Sequence, residues 1–416
     1  MCVYGDDRSG NSTFWSQTDV SGRPAGLAGR VAMTDTGSSS WFQRFLLPGF
    51  AFKAVVIGGG YATGRELAEF FLPSGPWGGL AGMLLAMVIW SSACVITFVL
   101  ARSAQLFDYR AFFKQLLGPF AVLFELSYFP YITLILSVFG AAAGAVGAAV
   151  LGWPPLYGTL CLMLGIALFT AFGNASVERL FKWVSIFLYV IYGLFLILGL
   201  THFGSGIVAH FAVPASSAGW AMGGITYAAY NIIGAVVILP VVRHMRSNRD
   251  AVTAGLLAGP LAMLPAIIFF VCMCAFHPNI AGETLPSDFM LEKLHLPAFR
   301  VAFELMIFAA LLESGTGSVH AVNERIAAAY RSRRTADLPK LARFVIAGAL
   351  LSGSIFLAAR FGLVTLIARG YRILAYAMLV LYVLPLATLG VWQLWRGRGR
   401  SPEEQRIMRT VPGVES

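Results

Sequence analysis

The sequence predicts an all-α polytopic membrane protein with about ten transmembrane helices in a 5+5 inverted repeat whose first and sixth helices are broken. Three observations support this fold class: the composition, the number of long apolar segments, and interruptions at corresponding places in two of them. Of the 416 residues, 58% are hydrophobic and 12% are charged, whereas soluble domains have about 25% charged residues. The mean hydropathy of +0.74 therefore indicates a chain embedded in a lipid bilayer.

The first apolar segment contains three consecutive glycines and a charged triplet, in the string VVIGGGYATGRELAEFF of residues 55–71. The apolar run before the glycines is roughly 13 residues, too short to cross a hydrocarbon core about 30 Å thick. Irregular backbone at membrane depth is tolerated only where protein covers it or it lines a cavity. We therefore predict two half-helices that meet at Gly58–Gly60 near the midplane. The alternative is a continuous helix whose glycines pack against a neighbour.

Nine further apolar segments follow, each closed by glycine, proline or charge. They are residues 78–100, 120–151, 156–172, 183–203, 220–242, 252–276, 299–326, 341–359 and 371–395.

The sixth segment, GWAMGGITYAAYNIIGAVVILPVV, is interrupted like the first. Asn231 divides it into halves of about 12 residues, each about 18 Å long as a helix. With five segments in each half of the chain, the second half must be inverted relative to the first. Interrupted helices at corresponding positions of inverted repeats point to a binding site at the midplane.

This division predicts four regions: a disordered cytoplasmic tail at 1–40, a first five-helix repeat at 41–203, a second repeat with its preceding outer loop at 204–395, and a cytoplasmic tail at 396–416. Met33 is an alternative start of translation. The predicted inner loops hold most of the loop lysines and arginines, which places both termini in the cytoplasm. The predicted outer loops hold only Lys293, Arg300, Arg360, Arg369 and Arg372.

Several function classes are excluded by the same composition. The net charge of +10 comes from short loops and reports orientation, so no nucleic-acid partner is expected. The five cysteines have no histidine at ligand spacing, and no two histidines pair within a segment. We therefore expect neither an enzyme, a metal centre nor a cofactor, and we expect a small-molecule substrate and the lipid bilayer as partners.

Three strings resemble a known family: GGGYATGRELAEFF in the first segment, YAAYN in the sixth and ESGTGSVHAVNERI in the eighth. They resemble the uncharacterised bacterial membrane proteins labelled YkvI, which look like a branch of the amino acid–polyamine–organocation superfamily with the leucine-transporter-type fold. The resemblance covers about residues 45–395. It implies a secondary transporter of the inner membrane, with alternating access to a site between helices 1, 3, 6 and 8. The chain departs from the pattern at Lys53, and at Gly59 and Tyr61, where Ala and Phe are expected.

The predicted substrate site has one part that binds an anionic group and another that binds a cationic group. A half-helix that begins at Tyr61 exposes unpaired N–H groups at the positive end of its dipole, which suits a carboxylate. Carbonyl groups near Tyr227 to Tyr230 end the first half of the sixth segment and suit an ammonium. The two halves together describe an amino-acid zwitterion or a related amine, and the resemblance implies the same assignment. The predicted substrate-binding residues are Gly58, Gly59, Gly60, Tyr61, Ala62, Thr63, Tyr227, Tyr230 and Asn231.

The resemblance also implies a place for a coupling ion. In relatives that use sodium, the ion lies between carbonyls of the first segment and hydroxyls of the eighth. Here Lys53 enters the same region, and its ammonium near Glu313 takes the place of the sodium. We therefore favour proton coupling or ion-independent exchange, with sodium as the alternative. The predicted ion-coupling residues are Lys53, Ala54, Ile57, Glu125, Glu313, Ser314 and Ser318.

The other charges in the segments are expected to have structural or gating roles. Arg65, Glu66 and Glu69 have the spacing of a local salt bridge, and Arg300 and Glu304 are expected at the outer interface. The alternative function is that of a channel, a sensor-type permease or a carrier of another solute such as a nucleobase. The channel is an alternative because broken helices also build pores.

Overall fold

The computed structural model describes residues 40–171, 174–334 and 339–398. All regular secondary structure in these ranges is helical, as the composition predicts. The two predicted tails lie almost entirely outside the described residues, as does Met33.

The chain forms a succession of long α-helices joined by short turns and by shorter helical segments. They are α1 (Leu47–Val56), α2 (Gly59–Ala62), α3 (Arg65–Phe70), α4 (Gly75–Ser103), α5 (Tyr109–Leu117), α6 (Ala121–Leu151), α7 (Pro155–Ala171), α8 (Asn174–Ala212), α9 (Trp220–Asn231), α10 (Gly234–Val237), α11 (Asn248–Cys274), α12 (Pro286–Lys293), α13 (Pro297–Arg334), α14 (Lys340–Thr365), α15 (Arg372–Met378) and α16 (Val391–Arg398).

Several of these helices are long and apolar enough to cross a bilayer. Six stretches of the described chain meet both conditions, among them Leu72–Ser103, Asn248–Cys274 and Leu341–Arg396. Each predicted apolar segment overlaps at least one helix. The structure therefore confirms a helical polytopic membrane protein, while the number of spans and the inverted repeat stay predictions.

The first span is broken twice. Helix α1 ends at Val56, because the ψ of 84° at the next residue, Ile57, leaves the helical region. Ile57 and Gly58 are irregular before the single turn of α2. Gly64 then adopts a left-handed φ of 76° before α3 begins. A Cβ at Gly64 would lie 2.5 Å from the Phe269 ring, so both the backbone angle and the close packing require glycine there. The predicted break is confirmed, and the second break at Gly64 is an addition.

The sixth span is also broken, and it lies beside the first. Helix α9 ends at Asn231, the turn at 232–233 follows, and α10 is a single turn. Gly223 packs directly against the backbone of Phe70 in α3, and a Cβ at Gly234 would lie 3.0 Å from the Phe52 ring of α1. Both predictions for this span, its interruption and its position next to the first span, are confirmed.

Small residues allow α4 and α11 to pack closely. A Cβ at Gly255 would lie 2.6 Å from the backbone nitrogen of Val95, and Gly259 lies against the Met87 carbonyl and the Ser91 side chain. Such contacts between small residues let helix backbones approach each other where no hydrophobic effect drives association. Helix α11 of this pair packs against α1 of the broken first span.

Two connections differ from the sequence prediction. The predicted outer loop between the last two spans is helical on both sides of Gly362, whose φ of 68° interrupts the helix, because residues such as Leu366 and Ile367 are apolar and buried. The predicted loop after the second span contains the amphipathic helix α5. The Asp108 side chain caps that helix by accepting from the backbone N–H of Arg110 at 3.0 Å, as expected for an aspartate in this position.

Candidate functional site

The two broken spans meet at the carboxyl group of Glu66. Glu66 is 3% exposed, and its side chain packs so closely over Gly60 that a Cβ on Gly60 would collide with it. The Tyr230 hydroxyl in α9 donates a hydrogen bond of 2.6 Å to Glu66 Oε2. The carboxyl group of the first span is therefore held by the end of the first half of the sixth span.

Aromatic rings surround this carboxyl group. The Tyr230 ring lies 4.5 Å from Tyr371, 5.6 Å from Tyr227 and 5.7 Å from Phe70 between ring centroids. The side chains of Tyr227, Tyr230 and Tyr371 are all within electrostatic reach of Glu66. A carboxylate among ring faces is an environment that favours a cation.

The Tyr227 hydroxyl near the break is fully buried and has no hydrogen-bond partner among the described residues. The buried hydroxyls of Tyr61 and Tyr192 lie within hydrogen-bonding reach of each other and have no other partner there. The Tyr61 ring lies 6.4 Å from the Tyr192 ring of α8. Because a buried hydroxyl is costly to leave unpaired, these groups are available to a polar ligand.

The backbone around α2 differs from the predicted anion site. The Ala62 N–H donates to the Gly58 carbonyl at 3.0 Å, so it is not available to a carboxylate in this conformation. The Thr63 hydroxyl donates to the Gly60 carbonyl at 3.1 Å and accepts from the Arg65 N–H at 3.4 Å. In this conformation the amide of Ala62 closes a local hydrogen bond of α2, and the assignment of Ala62 to the substrate stays a prediction.

The carbonyl groups predicted to bind an ammonium already have side-chain partners. The Tyr131 hydroxyl donates to the Tyr230 carbonyl at 3.3 Å, and the Asn231 amide donates to the Tyr227 carbonyl at 3.2 Å. Asn231 thus caps the end of α9. The carboxyl group beside this helix end is that of Glu66, which accepts from the Tyr230 hydroxyl.

A cavity of about 130 Å³ lies beside the first break. At about 30 Å³ per water molecule, its volume corresponds to roughly four waters. Lys53, Ile57, Ala62 and Tyr192 are among its lining residues. The Lys53 side chain is largely buried, and its Nζ lies 4.4 Å from the centroid of the Tyr189 ring in α8.

The remaining residues of the predicted ion site lie on α1 and α13. Ala54 follows Lys53 in α1, and Glu313 is within electrostatic reach of the Tyr189 side chain that Lys53 contacts. The Ser318 hydroxyl donates to the Ser314 carbonyl at 2.8 Å. The structure thus brings Lys53 and Ile57 to one cavity, while neither serine is among the described residues that line it.

Glu125 belongs to a different cluster. Its carboxylate pairs with Arg325 at 2.6 Å and with Arg110 at 3.5 Å. The Arg325 guanidinium stacks over the Tyr128 ring at 3.7 Å. The Glu125 side chain is 35% exposed, so this group is a partly exposed ion pair joining α5, α6 and α13, and the predicted role of Glu125 in ion coupling stays a prediction.

The end of the bundle that contains residues 275–296, here called the α12 end, is closed by Arg65. Its guanidinium donates to the carbonyls of Ala281 and Glu283, both at 2.9 Å, and to Glu69 at 3.0 Å. The predicted local salt bridge is therefore confirmed for Arg65 and Glu69. It does not include Glu66, which faces the tyrosines.

Glu66 is the site residue whose role the sequence reasoning missed. In one continuous half-helix, Glu66 would lie about 240° around the axis from Gly60, at 3.6 residues per turn. The left-handed Gly64 interrupts the helix, and Glu66 packs over Gly60. The signal was the Thr63-Gly64 pair, because Thr and Gly are typical turn residues.

Comparison with known proteins supports the fold. No protein-family model matches the chain. In sequence, it is 21% identical over 335 residues to the uncharacterized membrane protein YkvI of Bacillus subtilis (strain 168), covering 79% of this chain and 92% of that protein. In structure, it is similar to the Eremococcus coleocola manganese transporter.

For the crystal structure of that transporter in complex with an aromatic bis-isothiourea substituted compound, the TM-score is 0.51 and the identity 15%, over 82% of this chain and 77% of that one. For a mutant of the same transporter, the TM-score is 0.50 and the identity 15%, over 83% and 78%. At this identity the likeness shows the fold, which is that of a helical membrane transporter.

Proposed function

We propose that the chain is a secondary active transporter of a small solute that carries an ammonium group, either an amino acid or a related amine. The observation that carries this proposal is the buried Glu66 carboxyl group at the junction of two broken spans. Broken helices at a junction of this kind form the substrate sites of many secondary transporters. The fold shared with solved membrane transporters supports the same class.

The chemistry of the site favours an organic ammonium. Moving a carboxylate out of water is costly unless a cation compensates it, and the rings of Tyr227, Tyr230 and Tyr371 add cation–π attraction. The buried hydroxyls of Tyr61 and Tyr227 would donate to the carboxylate of an amino acid. The described part of the chain contains no group of three His, Cys, Asp or Glu residues that could hold a metal ion, so a metal substrate is the weaker assignment.

A ligand screen on the purified protein tests the substrate class. We expect amino acids and primary amines to raise the thermal unfolding temperature, and carboxylic acids without an amine, nucleobases and Mn²⁺ to leave it unchanged. In Glu66→Gln the shift should disappear, because the amide keeps the shape of the side chain and loses its charge. Glu292→Gln, an exposed position on α12, is the matched control and should keep the shift. Equal stabilisation of wild type and Glu66→Gln would refute the assignment.

Counterflow separates a carrier from a channel. Liposomes loaded with an unlabelled amine that binds in the screen should accumulate the labelled amine transiently and saturably. A channel would equilibrate the label without accumulation, and this outcome would refute the transporter class while leaving the binding result intact.

We also propose that Lys53 takes the place of a coupling sodium ion. Its ammonium lies over Tyr189 at the edge of the cavity beside the break, in the region to which the resemblance assigns the ion. A fixed cation there makes sodium unnecessary and allows proton coupling or exchange.

Uptake under separate sodium and pH gradients tests the role of Lys53. We expect wild type to transport without sodium and Lys53→Ala to lose most of its uptake. Lys293→Ala is the control, because Lys293 is exposed and its Nζ also lies near a ring, 5.4 Å from the Phe289 centroid. A strict sodium requirement that is the same in wild type and in Lys53→Ala would contradict this proposal.

A further inference from the structure

Glu304, in the third turn of α13, is a carboxyl group that the substrate site does not use. It is 1% exposed, and neither of its oxygens has a hydrogen-bond partner in the described ranges. The sequence placed it with Arg300 at the outer interface. Its side chain is buried within the bundle, in a part of α13 that packs against both α12 and α8.

The positive charge nearest to Glu304, that of Arg300, is already paired with another carboxylate. Arg300 donates two hydrogen bonds to Asp288 of α12, at 2.6 and 2.7 Å. Asp288 and Arg300 are the charged groups within electrostatic reach of Glu304, and Glu292 lies on the exposed side of α12, within reach of Arg300. Because the charges of Arg300 and Asp288 neutralise each other, this ion pair would do little to stabilise a negative charge on Glu304.

The other side of this region is aromatic. Phe303, the neighbour of Glu304, packs 4.8 Å from Phe195 and 6.2 Å from Tyr192 between ring centroids, and both of these rings belong to α8. Tyr192 is a titratable residue of α8 that contacts the Phe303 ring. These rings provide no charge that could stabilise a carboxylate.

Helix α12 links the Glu304 region to the broken first span. The Ser287 N–H donates to the Thr63 carbonyl at 3.0 Å, and Gly64 packs against Pro286. The Ser287 hydroxyl is also buried, with no partner in the part of the chain that the structure describes. A movement of the Thr63–Gly64 turn that leads into α3 would therefore displace α12.

We propose that Glu304 is a proton-binding site, protonated while α12 covers it and ionised when α12 moves away. A buried carboxyl group without a cation or donor is stable only in its neutral form, so the closed α12 end requires the proton. On opening, the O–H bond of the carboxylic acid breaks and the proton passes to water, leaving the carboxylate in solvent. The inference rests on the proposed transporter function, since it couples protonation to opening of one end.

Infrared spectroscopy tests the protonation state without any transport assay. We expect wild type at neutral pH to show the carbonyl stretching band of a protonated carboxylic acid. In Glu304→Gln the intensity of this band should decrease by the contribution of one carboxyl group. Glu292→Gln is the matched control and should keep the whole band. The same comparison in a Glu66→Gln background removes any contribution of Glu66. An unchanged band in Glu304→Gln would overturn the proposal.

A second variant tests the physical reason and leaves Glu304 in place. Asp288→Asn releases the Arg300 guanidinium, which then becomes available to pair with Glu304. We expect this variant to lose the Glu304 band because the carboxylate is now compensated. A band that persists would show that burial by α12 and the missing charge partner do not decide the protonation state.

Transport then separates this inference from the proposed function. Glu304→Gln mimics the permanently protonated group, so its counterflow should persist while the response of uptake to a pH gradient is lost. Uptake that keeps its full pH response would overturn the proton site and leave the transporter intact. Absence of transport in wild type would refute the transporter function, and the infrared result would still decide whether Glu304 holds a proton.

Discussion

Gly60 and Glu66 act as one unit at the centre of the site. The absence of a side chain at Gly60 is what admits the Glu66 carboxyl group beside the break, since a Cβ there would collide with it. Tyr230 then orients the carboxyl group from the neighbouring span. The sequence analysis assigned Gly60 to the substrate site. In this conformation the absence of a side chain at Gly60 leaves room for the Glu66 carboxyl group.

Gly60→Ala should therefore weaken ligand binding more than it weakens the fold. The added methyl group displaces Glu66, at a strain of about 1–3 kcal/mol, and a misplaced carboxylate should lower amine affinity at least about tenfold, which corresponds to about 1.4 kcal/mol. Calorimetric titration with an amine that binds in the thermal screen measures the affinity. Gly348→Ala is the control, because a Cβ there meets nothing within 4 Å. Normal affinity in Gly60→Ala would remove the structural basis of the site.

At the scale of the helix, the second break is set by Gly64. Its φ of 76° turns the chain so that α3 directs Arg65 toward the loop at 281–283 and Glu66 toward the tyrosines. A side chain at Gly64 faces two separate costs, the left-handed backbone and the contact with Phe269.

A matched pair of glycines separates these two costs. Gly219 has a φ of 80° and open space around its Cβ position, so Gly219→Ala should lose only the backbone contribution, about 1–2 kcal/mol. Gly64→Ala should lose this amount and about 1–3 kcal/mol more for overpacking. Thermal unfolding in detergent should rank wild type above Gly219→Ala and Gly219→Ala above Gly64→Ala. Equal unfolding temperatures for the two variants would show that Phe269 yields without cost.

At the scale of the molecule, one guanidinium ties the broken span to the α12 end. Arg65 bonds two carbonyls of the loop at 281–283 as well as Glu69, and Arg372 lies 3.8 Å from the same Glu69. Hydrogen bonds to a charged group contribute about 1.5–3 kcal/mol each. A change of this size is enough to shift a two-state equilibrium between closed and open ends.

Arg65→Gln should therefore open the α12 end. We expect a cysteine introduced at the buried Ala62, in a background without the native cysteines, to react several-fold faster with a charged thiol reagent when Arg65 is replaced. Arg360→Gln, at an exposed position, is the control and should leave the rate unchanged. The same slow labelling in Arg65→Gln would mean that other contacts keep this end closed.

The sequence by itself determined the membrane-embedded helical fold, the breaks in the first and sixth spans, and the Arg65–Glu69 pair. Each of these depends on residues close together in the chain: apolar length, glycines within an apolar run, and charges four residues apart. Such features follow from backbone hydrogen bonding and from the helical period, which act locally.

Only the tertiary structure decided where the charges lie. Glu66 reaches Tyr230 and Lys53 reaches Tyr189, and both contacts join segments that are far apart in the chain. Glu304 is buried where α13 packs against α12 and α8. The sequence reasoning assigned Glu66 to a local salt bridge and Glu304 to the outer interface because it followed one helix at a time. Burial of a charged group depends on the neighbouring helices that exclude water from it, and these are set by the packing of the whole bundle.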